Sequence, residues 1–219
     1  FASAIYQNDI TIEGITGKLK RDLNQISKLL LEKIIPVIID PEEAALPIVK
    51  PDVIIDGRML KQAVEKPIFQ PALLIGLGPG FTAGINCDAV VETKRGPFLG
   101  RVYWDGQAED DTGIPEPVNN FASERVIRSP GDGIFSAAKS IGDQVHKQEV
   151  VGYVNQQPVI APIEGMVRGL IMGGLQVFEN MKIGDIDPRT DIRLIHHVSD
   201  KSLAIGGGVL EAILSRFTN

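Results

Sequence analysis

Leu23, Ile26, Leu30 and Ile34 recur at three- and four-residue steps, so residues 21–34 are predicted to form an amphipathic helix. The run Ile35-Pro36-Val37-Ile38-Ile39-Asp40 follows, and continuous apolar character at this length predicts a short buried strand ended by Pro41. Residues 42–49 predict a second short helix despite Pro47. Pro51-Asp52-Val53-Ile54-Ile55-Asp56 and Ala72-Leu73-Leu74-Ile75 predict two further buried strands, the second closed by glycines. Helices alternating with continuous apolar strands are the pattern of a parallel α/β sheet. Three strands are few for such a sheet, so an upstream element is expected as well. Between Gly84 and Gly106 the period changes, and residues 88–93 and 101–104 read as strands on either side of a turn at Lys94-Arg95-Gly96-Pro97. Residues 109–120, acidic and rich in proline and glycine, read as a loop or linker. In the last segment, 199–217, Val209, Leu210, Ile213, Leu214 and Phe217 share one helical face. Gly206-Gly207-Gly208 stands immediately before that helix.

Residues 130–154 repeat as 162–186 at an offset of 32 residues without a gap. Pro130, Gly133, Gly142, Gln144, Val145 and Gly152 meet their identical counterparts Pro162, Gly165, Gly174, Gln176, Val177 and Gly184. Asp132/Glu164, Ile134/Met166 and Val151/Ile183 exchange like for like. Each half reads as short strands separated by glycine turns. Two half-motifs this short cannot each bury a core, so they must close on one another. The pattern resembles the barrel-sandwich hybrid, the fold of biotinyl and lipoyl carrier domains. Those carriers hold their cofactor on a lysine at the hairpin joining the halves. Here the joint reads Asn155-Gln156-Gln157-Pro158-Val159-Ile160-Ala161, without lysine, and Lys139, Lys147 and Lys182 fall elsewhere. The expected fold class is therefore α/β plus all-β. A partial Rossmann-like parallel α/β domain (1–76) leads through a connecting β segment and loop (77–125) to a barrel-sandwich hybrid module (126–187). A C-terminal strand and helix (188–219) complete it.

Composition narrows the function classes. The 219 residues carry 22 basic and 28 acidic side chains, a formal charge of −6, without the basic cluster of a nucleic-acid footprint. No apolar run approaches the ~20 residues that cross a bilayer. The single cysteine, Cys87, excludes an internal disulfide and fits a reducing cytoplasm. The chain begins at Phe1 without a signal-peptide pattern, which reads as a processed product or fragment.

Four groups of residues and one cysteine are candidates for chemistry. Gly76-Leu77-Gly78-Pro79-Gly80 follows a strand, where glycine lets backbone N–H groups approach an anion. Its spacing is not Gly-x-Gly-x-x-Gly and no helix is expected after it, so a tight structural turn is the competing reading. Gly206, Gly207 and Gly208 ahead of a helix are a second candidate anion site, or a close packing contact. Asp185 and Asp187 lie on one face of an extended segment with Arg189 beside them. The set suits magnesium, a polar ligand or phosphate, and equally an Asp-Pro turn paired with its neighbouring arginine. Glu92, Arg95 and Arg101 lie around one predicted hairpin, where they would form an ion-pair group or a cleft. Cys87 is either a sulfur or selenium carrier or a small buried apolar residue. His146, His196 and His197 have no zinc spacing, so no metal site is expected. No nucleophilic elbow or Cys/His hydrolytic motif is present, and no catalytic residue is assigned.

The stretches that carry a wider resemblance are Gly76-Leu77-Gly78-Pro79-Gly80-Phe81-Thr82-Ala83-Gly84, Val90-Val91-Glu92-Thr93 with Arg95-Gly96, and Leu99-Gly100-Arg101-Val102. With them go Lys182-Ile183-Gly184-Asp185-Ile186-Asp187-Pro188-Arg189, Ser199-Asp200-Lys201, and Ala204-Ile205-Gly206-Gly207-Gly208-Val209-Leu210-Glu211-Ala212-Ile213-Leu214. Together these resemble the YqeB family of accessory proteins for selenium-dependent molybdenum hydroxylases. The family usually carries an upstream strand with a glycine-rich turn opening a Rossmann-like domain, which this sequence lacks. The resemblance implies a cytoplasmic maturation factor that binds molybdenum cofactor (molybdopterin) or a nucleotide, or the apo-hydroxylase, and assists cofactor or selenium insertion. Implied partners are the selenium-dependent hydroxylase or its other maturation factors, with a homo-oligomer left open; no nucleic acid, membrane, covalent biotin or lipoate is expected. The alternative is a non-catalytic adaptor or scaffold whose lipoyl-like docking module lacks the attachment lysine.

Overall fold

The computed structural model describes residues 1–60, 62–111, 118–119 and 121–218. It is a mixed α/β protein with several sheets and a C-terminal helix. Residues 1–112 and 198–219 form one compact unit, and residues 113–197 the other.

The first unit opens with α1 (Ala4–Gln7) and the antiparallel hairpin of β1 (Asp9–Ile12) and β2 (Ile15–Leu19). Glu13-Gly14 turns the hairpin with both residues at positive φ. A 3₁₀ turn, Leu23–Gln25, capped by the Asp22 carboxylate, leads into α2 (Ile26–Leu31). The helix is shorter than the expected 21–34, because Lys33 at φ 58° ends it before Ile34. β3 (Ile35–Val37) then pairs parallel to β2. That strand was expected in the main parallel sheet, but the N-terminal hairpin supplies its partner, and the result is a separate three-stranded sheet.

α3 (Leu46–Val49) precedes β4 (Val53–Asp56), β5 (Leu73–Leu77), β6 (Thr82–Ala83), β7 (Ala89–Val91), β8 (Val102–Tyr103) and β9 (Gly106–Gln107). The main sheet has the order β4-β5-β7-β8, with the first three strands parallel and β8 antiparallel. β5 and β7 are buried on both faces and β4 is half-buried, with Ile55 46% exposed; the two central strands read as unbroken apolar runs because neither face meets water. Leu73, Ile75 and Val91 face the C-terminal helix α4 (Asp200–Phe217), packing on Ala212, Ile205, Val209 and Ile213. Leu74 and Val90 point the other way, into Phe81, Ala83, Cys87 and Ala108. α4 thus belongs to the first unit, and Ser199 caps it by accepting from the Ser202 N–H.

The second unit holds β10 (Val126–Arg128), β11 (Gly133–Ala137), β12 (Gln144–Val145), β13 (Val150–Val154), β14 (Gln157–Ile160), β15 (Gly165–Leu170), β16 (Gln176–Val177) and β17 (Lys182–Asp187). Two four-stranded sheets, β10-β17-β15-β12 and β14-β13-β11-β16, enclose Phe135, Val145, Val151, Val154 and their counterparts Val167, Val177, Ile183 and Ile186. The duplication is a structural one. Gly133 pairs with Val177 as Gly165 pairs with Val145, and Phe135 with Val154 as Val167 with Ile186. The Phe135 N–H donates to Leu175 O at 3.0 Å, and Val167 N–H to Asp143 O at 2.9 Å. Each half places a strand in the other half's sheet, so neither buries a core alone. The repeat also reaches further upstream than the sequence indicated, since β10 and β14 are counterparts on β17 and β13. No helix among the described residues is long and apolar enough to cross a membrane.

Candidate functional site

The carboxyl ends of β4, β5 and β7 lie side by side, so the loops after Asp56, Leu77 and Val91 share one edge of the sheet. In open parallel sheets ligands settle outside this edge, where backbone and side chains converge. Asp56 there holds Arg58 bidentately, with Nε at 3.0 Å from Oδ1 and Nη2 at 2.5 Å from Oδ2. The bond to Asp56 raises the Arg58 guanidinium above its usual range. Arg58 remains half exposed and borders a pocket of about 240 Å³ lined by Asp40, Glu43, Ile54, Asp56 and Gly57. Asp40 spends its carboxylate on the Ala44 and Ala45 N–H groups at 2.9 and 2.8 Å. Glu43 accepts from Ile68 N–H at 2.9 Å. Two of the three acids are therefore structural anchors, and the Asp56–Arg58 pair is the polar group presented to the pocket.

Gly76, Gly78 and Gly80 approach their own chain. A Cβ on Gly76 would lie 2.2 Å from the Phe81 ring, on Gly78 2.4 Å from Thr93 Oγ1, and on Gly80 2.2 Å from Gln62 O. Gly78 and Gly80 also sit at φ 75° and 102°, which few other residues tolerate. The turn shapes the floor of the edge through packing. Beside it, Glu92 is fully buried and holds three backbone donors at 2.8 Å: Thr93 and Lys94 N–H on Oε1 and Glu109 N–H on Oε2. Glu92, Arg95 and Arg101 engage different groups, Glu92 the backbone donors just named. Arg95 pairs with Asp200, and the Arg101 guanidinium lies over the Phe98 ring at 5.6 Å.

Gly206, Gly207 and Gly208 stand inside α4 instead of ahead of it, so no helix N-terminus exists there to hold an anion. Gly208 is buried, and a Cβ on it would lie 2.1 Å from Gly100 O, whereas Gly206 and Gly207 face open space. Cys87 is 2% exposed, and burial pushes its thiol up to about 11. Its setting among Phe81, Ala83 and Val90 is that of a small buried apolar residue.

In the second unit Asp185 pairs with Arg125. Burial still pushes the Asp185 carboxyl upward, only partly offset by Arg125 and Lys182. Asp187, 3% exposed, accepts from Arg189 N–H and Nε at 2.9 Å and from Nη2 at 2.7 Å. Burial raises that carboxyl, but the Arg189 hydrogen bonds outweigh it and the net shift is downward. The turn-and-neighbour reading of Asp187-Pro188-Arg189 is the one observed. A pocket of about 350 Å³ lies nearby, lined by Phe121, Gln144, His146, Glu164, Pro188 and Thr190. At the hairpin between β13 and β14, Asn155 accepts from Ile134 N–H at 3.2 Å and donates to Asp132 O at 3.3 Å. Lys139 is engaged with Glu149 at 2.5 Å. Among the described residues no three His, Cys, Asp or Glu side chains converge as metal ligands would.

Sequence reasoning missed Asp56, Arg58 and Arg125. A charged Asp-Gly-Arg closing the apolar run Val53-Ile54-Ile55 was the available signal for the first two.

The comparison with curated proteins finds 41% identity over 214 residues, 98% of this chain, to the uncharacterized protein YqeB of Escherichia coli K12. This match supports the YqeB family. The chain covers 40% of the length of that relative. No family model matches. Among solved structures, an aspartoacylase family protein from Mesorhizobium loti aligns over 29% of this chain and 23% of its own, at 23% identity and a TM-score of 0.27.

Proposed function

We propose that this YqeB relative is an accessory factor that assists cofactor or selenium insertion into a selenium-dependent molybdenum hydroxylase, working by binding and not by covalent catalysis. In this reading it acts in the cytoplasm. The first unit is a partial Rossmann-like domain, and the second a barrel-sandwich hybrid that has lost its carrier role. The observation that carries the reading is the edge at Asp56, Arg58 and the 76–80 turn. It offers a polar pair beside a pocket of about 240 Å³, enough for part of a ligand and below the ~300–1,000 Å³ of whole small-molecule sites. The buried, protonated Cys87 and the Asn155-Gln156 hairpin tip add support, because neither offers a tether for a group in transit. The relative's name describes no activity, so the hydroxylase link rests on the motif resemblance.

The second reading, a pure adaptor, is favoured by one feature: the glycines of the 76–80 turn are filled by the chain's own atoms. Titration calorimetry separates the two. An accessory factor of the first kind binds a molybdopterin nucleotide with micromolar affinity, and Arg58→Ala weakens it roughly tenfold or more. Binding of apo-hydroxylase without any cofactor heat supports the adaptor.

A further inference from the structure

The internal two-fold of the second unit gives every outward side chain of one sheet a counterpart on the other. On the β10-β17-β15-β12 sheet the chain itself covers the middle of this outer face, while Arg128 and Gln144 at its margins stay exposed. Met166 is 0% and Val126 6% exposed, although neither belongs to the main core. The 3₁₀ turn Ser123–Arg125 lies against β17 and docks Arg125 on Asp185, and a second turn, Ile192–Ile195, lies against β15. Among the described residues the equivalent face of β14-β13-β11-β16 has no such cover. Ile134, the counterpart of Met166, is 47% exposed; Tyr153, the counterpart of Asp185, is 41% and Ile160 40%, and Phe178, the residue just beyond β16, is 60%.

We infer that this bare face is where a second copy of the chain binds, around a two-fold axis. The chemistry of the face selects the occupant. Asp185, Arg168 and Arg128 on the covered sheet become Tyr153, Ser136 and Ile160 here, so the outward positions 134, 136, 153, 158, 160 and 176 carry no charge. A basic turn such as the one holding Arg125 has nothing to pair with. Two chains of net charge −6 repel across most of their surfaces, and an uncharged face is the one that meets itself without that repulsion. Area agrees. Ile134, Tyr153 and Ile160, with Phe178 at the rim beyond β16, offer on the order of 400 Å² per copy. An interface of ordinary polarity, about 57% non-polar, would then bury about 1,400 Å² in total, within the standard size class. This inference does not depend on the proposed role in hydroxylase maturation.

Sedimentation velocity of the full chain across micromolar concentrations tests it. The expected result is a reversible monomer–dimer equilibrium that Tyr153→Arg weakens by roughly tenfold or more. Ile85→Arg, at a 71% exposed apolar position in the other unit, leaves the equilibrium unchanged. Ile134→Lys and Ile134→Glu should each be monomeric alone and dimerise when mixed, because a two-fold brings like positions together. Circular dichroism keeps loss of fold distinct from loss of contact. A monomeric wild type at every concentration overturns the inference and assigns the face to a different polypeptide. A dimer indifferent to Tyr153→Arg and Ile134→Glu overturns it equally.

Discussion

Substituting alanine at each of the three consecutive glycines of α4 should produce opposite signs. In a helix, alanine is favoured over glycine by about 1 kcal/mol. At Gly206 and Gly207 the new methyl group meets open space, so each variant should gain about that amount. At Gly208 it would lie 2.1 Å from Gly100 O, far inside the ~3.5 Å of an optimal contact. The obstacle is backbone, fixed by its own bond from Gly100 N–H to Glu92 O, so α4 must shift away from Val91 and the sheet. Overpacking costs about 1–3 kcal/mol, and more when backbone must move. After the helical gain, Gly208→Ala should still lose about 2 kcal/mol. Guanidinium unfolding followed by Trp104 fluorescence reads this directly, because the chain's single tryptophan lies in the unit that contains α4. A Gly208→Ala protein as stabilised as its neighbours would refute the close packing of helix on sheet. Destabilisation at Gly206 or Gly207 would show that those residues are occupied by something outside this fold.

Other consequences follow from single side chains. Glu92→Ala removes the acceptor of three backbone N–H groups, one in a buried bond and two in part-buried ones, and should cost about 2–3 kcal/mol in the same unfolding assay; a loss under about 1 kcal/mol contradicts the clamp. Cys87 should resist iodoacetamide at neutral pH until the chain unfolds, and alkylation of native protein seen by intact mass would favour the carrier reading. Asp187 has a lowered folded pKa, so its contribution is present above the unfolded carboxylate range and disappears as pH falls through the folded value. Asp187→Asn should therefore flatten the acid limb of a stability–pH curve, and an unchanged limb would count against the Arg189 contact. Asp185 runs the other way: its folded pKa is raised, so its ionisation weakens the fold as pH rises through the carboxylate range. Arg125→Ala should deepen that loss, with a cost of about 3–5 kcal/mol for the stranded charge, and a neutral outcome would mean that Asp185 finds water instead.

The β module was legible because its signal is two copies of one pattern. Gly133/Gly165 and Gly142/Gly174 mark the same backbone bends, and Phe135/Val167 and Val145/Val177 the same core positions. The runs at 53–56 and 73–77 were equally readable: the second is buried on both faces and so has no polar interruption, and the first keeps an unbroken Val53-Ile54-Ile55 although it is only half-buried. The N-terminal hairpin escaped notice because Thr11, Thr16 and Lys18 dilute its alternation to a few half-buried residues. The 206–208 triplet misled for a different reason. Glycine normally ends helices, but here Gly208 is what allows α4 to touch Gly100, a contact between residues 108 positions apart that no local pattern encodes. The same distance problem hid the site. Asp56–Arg58 could be seen as a local pair, yet its place beside the 76–80 turn depends on β4 pairing with β5, and the role of Glu92 on its reaching Glu109.

Metal and selenium analysis of a selenium-dependent molybdenum hydroxylase, purified from cells with and without the full-length protein, tests the proposed role most directly. The account predicts that hydroxylase made without it has lost most of its molybdenum or selenium and its activity, and that the Cys87→Ala protein restores both. Full loading in its absence would contradict the account.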